Sequence, residues 1–161
     1  MNGSGGRVAF VAALLVLAHL ILHVALGIGR AAPDLFAVAV LLASRHTGAR
    51  GGAALGLVLG LLEDAFSVLS FGAGAVSLAA IGLLGGSTRD LFVGDSRVFR
   101  TTYLWLGVWL KSVIFWVMSS ALARPAFERA WFVEAPLDAL YATVIGLLAF
   151  ALAGIGGSTD R

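Results

Sequence analysis

The sequence predicts an all-α polytopic membrane protein with six transmembrane helices, and three observations carry that reading. Hydrophobic residues fill 60% of the 161 positions and charged residues only 12%. With a mean hydropathy of +0.97, this is far from the make-up of a soluble domain. The apolar runs are long and lack the alternation of strands, so helices rather than a barrel must satisfy the backbone in lipid. No polar stretch approaches the ~50 residues of a separate soluble domain, so residues 1–161 read as one transmembrane domain.

Cysteine is missing altogether, which excludes thiolate metal sites, catalytic cysteines and disulfides. The pI near 9.7 does not point to nucleic acid, because the basic residues are scattered through short loops. In that position they set topology.

Taken in order, the first apolar run, Val8 to Ile28, follows Arg7 and is too long for the core of a cleaved signal; it reads as a retained signal anchor. Pro33 opens the second segment, about 34–45, and Asp34 falls in its first turn, where an anion meets the positive end of the helix dipole. The third runs over about 51–66. A turn rich in serine and glycine, Ser67 to Gly74, leads to the fourth, about 74–87. A charged loop, Arg89 to Arg100, precedes the fifth, about 102–122, which carries Tyr103, Trp105, Trp109 and Trp116. The sixth, about 137–155, starts behind Pro136 and ends on Gly156-Gly157. Between the last two spans, Phe127, Ala130 and Trp131 recur at helical spacing, which suits a short interfacial helix over about 125–134 or an ordered aromatic loop. With the N-terminus cytoplasmic, Arg7, Arg45, Arg50, Arg89, Arg97, Arg100 and Arg161 fall inside and only Arg30, Arg124 and Arg129 outside. The positive-inside rule therefore gives N-in, C-in.

Gly48, Gly52, Gly56, Gly60 and Asp64 recur every four residues along one helix face. Small residues let a second backbone come close, a main source of packing between helices in lipid. The stripe serves either packing inside this chain or docking of a partner's transmembrane helix. At its end stand Glu63 and Asp64, and ionisable groups at membrane depth are functional candidates by default. Counted along straight helices, Asp64 lies ~20 Å and Lys111 ~14 Å from the cytoplasmic edge, within reach of a lysine stem. Two readings stand side by side: Lys111 pairs with Asp64, or Lys111 faces a partner or headgroup while Asp64 caps the turn through amides around Ser67. Glu63 points about 100° away from Asp64, so one of the two is expected to see water or headgroups.

An intramembrane aspartyl hydrolase would need Asp34 and Asp64 to converge on one water. No activated serine or phosphate loop accompanies them, and no catalytic residue is assigned. His19 and His23 share a face at i, i+4, but His46 falls at the opposite surface, so neither a metal nor a cofactor is assigned. The two read as packed helix histidines or as the lining of a polar crevice.

Pro33-Asp34-Leu35, a short basic loop, the glycine-rich Gly52 to Gly60, the block Gly60-Leu61-Leu62-Glu63-Asp64-Ala65-Phe66-Ser67 and then Phe71-Gly72 together resemble the rod shape-determining protein MreD family. The specific signal covers about residues 33–85 and rests on the order and spacing of its pieces: Pro33, Gly56, Gly60, Leu61, Asp64 and Gly72. Where the family often has glutamine before the aspartate, this chain has Glu63. The resemblance implies a non-enzymatic component of the bacterial cell-elongation machinery in the inner membrane. It also implies a fold similar to the substrate-binding components of energy-coupling-factor transporters. Implied partners are the transmembrane helix of MreC and, in a larger complex, MreB, RodA and a penicillin-binding transpeptidase, with membrane lipid around them. The alternative is a vitamin-binding subunit of a transporter, with a polar pocket around Asp34, Asp64, His19 and His23.

Overall fold

The computed structural model describes residues 3–22, 33–66, 70–88, 97–120, 126–127 and 130–153, and these contain helices and no strand. Five α-helices follow one another: α1 Gly3–Leu20, α2 Leu35–Asp64, α3 Ala73–Ser87, α4 Arg97–Met118 and α5 Ala135–Ala153. A π-helical turn, Ala130–Glu134, runs straight into α5. Two stretches, Val98–Met118 and Ala130–Leu152, are long and apolar enough to cross a membrane.

The expected second and third segments are one helix interrupted at a single residue. Gly48 has φ 74° and ψ −175°, a combination reached at low cost only without a Cβ. Unbent, a 30-residue helix would hold its ends ~45 Å apart. Instead Asp34, at one end, and Glu63, at the other, each lie 2.8 Å from the same lysine nitrogen. The chain therefore folds back at Gly48 into two antiparallel limbs, 35–47 and 49–64, and five helices supply six helical segments. Where a connecting loop was expected around residues 46–50, helical geometry resumes on either side of one glycine.

The first limb is the centre of the protein. Leu35 through Ala43 are between 0 and 7% exposed, and a helix apolar all round belongs where every side is covered. His19 of α1 stacks on Phe36, ring centroids 3.9 Å apart. Gly82 of α3 sits against Val40, Gly107 of α4 against Leu41, and Gly146 of α5 against Val38. Four helices thus touch one limb.

The second limb pairs with α3 through glycines. A Cβ built on Gly52 would strike the Gly82 carbonyl, one on Gly56 the Leu78 carbonyl, and one on Gly60 the backbone of Gly74 and Ala75. From the other side, Gly86 presses on the Gly48 backbone and Gly82 on the Gly52 carbonyl. Each step of four residues up the limb meets a step of four down α3, so the glycine stripe has a matching row and the two backbones touch along its whole length.

Three boundaries differ from expectation. Helix α4 begins at Arg97, inside the expected charged loop, and ends at Met118. Helix α1 begins at Gly3, ahead of Arg7. The stretch expected as an interfacial helix is, over its described part, the π turn, whose Trp131 packs against Trp109 and Trp116 of α4 and against Phe127. His23, Ser67, Arg30, Arg89, Arg124, Arg129 and Arg161 lie outside the described residues.

Candidate functional site

Lys111 stands in the middle of α4 and is 6% exposed. Its ammonium meets Asp34 Oδ2 and Glu63 Oε1, both at 2.8 Å, and lies 5.1 Å from the centre of the Phe115 ring. Asp34 owes its place to Pro33, which opens the limb, and to its role as N-cap: its Oδ1 accepts from the Ala37 amide at 3.0 Å. One carboxylate thus both starts the central limb and binds α4. Glu63 is the last turn of the second limb, so the lysine ties α4 to both ends of α2. Glu63 Oε2 is buried and has no hydrogen-bond partner among the described residues. Two carboxyl groups share one ammonium in a site with little solvent. Removing one member of a buried pair typically costs about 3–5 kcal/mol, because the survivor is left uncompensated.

Asp64 is 1% exposed and makes a different site. Its Oδ1 accepts from Gly74 N at 2.9 Å, and its Oδ2 from Gly72 N at 3.0 Å and Ala75 N at 2.9 Å. The need arises from α3, whose N-cap is Gly72 at φ 93° with no side chain to offer. The first amides of a helix lack intrahelical acceptors. Here Ala73 N bonds Ser70 O, Val76 N bonds Gly72 O, and Asp64 takes the rest. A carboxylate at the positive end of α3 also meets the helix dipole favourably. Gly74 has to be glycine for this approach, since a Cβ there would come 2.7 Å from Asp64 Oδ1.

The structure therefore brings Lys111, Asp34 and Glu63 together and sets Asp64 apart. The expected Lys111–Asp64 pair is not formed. Counting residues along straight helices does not give the azimuth: with 100° between successive side chains, Glu63 faces α4 and Asp64 faces α3. Of the two, Asp64 is buried while the Glu63 side chain stays 23% exposed. The capping reading of Asp64 holds in kind, with the amides of Gly72, Gly74 and Ala75 in place of those around Ser67. Asp34 and Asp64 are engaged by different partners and are not presented to one water. Gly52, Gly56 and Gly60 are covered by α3, so of the two readings of the stripe the structure shows packing inside this chain.

One polar site was not foreseen. At the kink end, Tyr103 Oη donates to Leu41 O at 2.9 Å and lies 3.1 Å from Ser44 Oγ. The Arg45 guanidinium lies over the Phe99 and Tyr103 rings at 5.2 and 5.6 Å. Tyr103 at i+4 from an aromatic, on a helix that opens with arginines, was the available signal. The bundle is thus polarised, with Arg45, His46 and Arg50 at the kink end of α2 and Asp34, Glu63, Asp64 and Asp138 at the other ends of α2 and α5.

Comparison with family models, with curated proteins and with solved structures finds no match.

Proposed function

We propose that this chain is a six-pass inner-membrane scaffold of the MreD kind, N-in and C-in, which binds the transmembrane helix of MreC and has no reaction of its own. The supporting observation is where the residues of the resemblance fall. Pro33 opens the central limb beside Asp34, Gly56 and Gly60 lie in the glycine seam, and Asp64 with Gly72 closes the turn into α3. Separate pieces of sequence thus serve one structural unit, the hairpin of α2 and α3. The separation of basic and acidic ends agrees with the basic end being cytoplasmic. MreB, RodA and a penicillin-binding transpeptidase would join through the larger assembly.

Leu61 is the residue of that set whose side chain is left well exposed, at 46%, with Leu57 and Val58 on the same limb also exposed. The partner helix is therefore assigned to this outer face rather than to the glycines. The test is a detergent pull-down of tagged protein co-expressed with its host's MreC. MreC should be recovered with wild type and reduced with Leu61→Trp or Leu57→Trp, while the protein still elutes as a single folded species. Undiminished recovery with both variants would remove the face. Failure to recover MreC, together with a retained small molecule, would favour the transporter-subunit alternative.

A further inference from the structure

A groove of about 580 Å³ lies between α1 and the end of α5, lined by Gly6, Arg7, Phe10, Val11, Leu14 and Leu152. It has nothing to do with the acids of α2. Arg7, Phe10, Val11 and Leu14 are spaced three to four residues apart, so they form one face of α1 over two turns. Val11 is buried and forms the floor, while Phe10, Leu14 and Leu152 stand 70, 50 and 70% exposed as its walls. Nothing lies within 4 Å of where a Cβ would stand on Gly6, so the mouth is open beside Arg7. Among the described residues no carboxylate forms an ion pair with Arg7.

The groove also has a definite position in the bundle. The end of α1 stacks on Phe36 through His19, near the acidic end, so Arg7, three turns earlier, is toward the basic end. Helix α5 carries Asp138 in its first turn and reaches Leu152 at its far end. The groove therefore opens at the basic end, with one cation at its mouth and apolar walls running toward the middle of the bundle.

We propose that this groove is a binding site for one anionic phospholipid, its phosphate on Arg7 and one acyl chain along Val11, Leu14 and Leu152. Charge complementarity selects the occupant: a transmembrane helix of a partner would bury Arg7 against apolar side chains, at a cost a lipid phosphate removes. Basic pockets between helices at a cytoplasmic surface hold acidic headgroups in this way. The volume suits one acyl chain. The inference is independent of any scaffold role.

Native mass spectrometry of the full chain from a neutral detergent tests it, with phosphatidylglycerol and phosphatidylcholine of identical acyl chains as probes. Wild type should retain one phosphatidylglycerol about 5-fold better than phosphatidylcholine, as expected for a single basic contact. Arg7→Gln, at an exposed position, should abolish that preference, and Arg7→Lys should keep most of it. Leu14→Trp, which fills the groove, should reduce retention of both lipids. Equal retention of the two lipids by wild type, or a preference that survives Arg7→Gln, would overturn the proposal. A lipid-independent dimer dissociated by Leu14→Trp would overturn it too, by making the groove a contact between two copies.

Discussion

The seam between the second limb of α2 and α3 and the packing of α4 around the first limb both use glycine, yet to different ends. In the seam a new Cβ would strike backbone atoms: the Leu78 carbonyl at Gly56, the Gly82 carbonyl at Gly52. Around the first limb, a Cβ at Gly107 would meet Leu41 Cδ1 at 2.5 Å, and one at Gly146 would meet Leu104 Cδ1 at 2.7 Å. These are the ends of side chains that can turn. The first region is held by backbones in contact and cannot yield; the second is held by side chains that can repack.

Breaking the seam should have the largest effect. Gly56→Leu is expected to cost more than about 3 kcal/mol, beyond the usual range for an overfilled core, and to leave little protein eluting as a single species on size-exclusion chromatography in detergent. Lys111→Met comes next, at about 3–5 kcal/mol, seen as a lowered thermal midpoint; adding Glu63→Gln should restore part of it, since one carboxyl group fewer is then left without the ammonium. Full additivity of the two changes would show that they are not coupled. Asp64→Asn should cost about 1–3 kcal/mol, because an amide cannot accept from three N–H groups as the carboxylate does, and more than Glu63→Gln alone, which keeps an acceptor for Lys111. If Glu63→Gln proves the more harmful, the cap of α3 matters less than the triad. Smallest is Gly107→Ala, at about 1 kcal/mol if Leu41 changes rotamer. The same change at Gly5, where a Cβ meets nothing within 4 Å, should be neutral or stabilise by roughly 0.5–1 kcal/mol through helix propensity.

The comparison also shows what could be read before the structure. Spacing alone exposed the stripe of Gly52, Gly56 and Gly60, because a four-residue repeat is a local property. What covered it was not legible from that limb: the matching row of Gly74, Gly82 and Gly86 lies on another helix, and its register depends on how tightly Gly48 and Gly72 turn the chain. The acids were found as residues and mispaired as a site. Counting addresses only depth, whereas the partner of Lys111 depends on the azimuth of three helices and on a chain reversal that brings Asp34 beside Glu63. The start of α4 was missed because Arg97 and Arg100 read as loop residues by composition alone, and the exact end of a helix is not set by the charge of the residue there.

The ion triad imposes an order on the birth of the protein. Glu63 precedes Lys111 by 48 residues, and at about 5–20 residues per second of synthesis both carboxylates are made several seconds before their ammonium. Once α3 is complete, its glycine row can pair with the second limb and the Asp64 cap can close, while Asp34 and Glu63 wait without a counter-ion. Helix α4 is then drawn to a pre-existing negative site, and its arrival is the step that fixes which face of it turns inward.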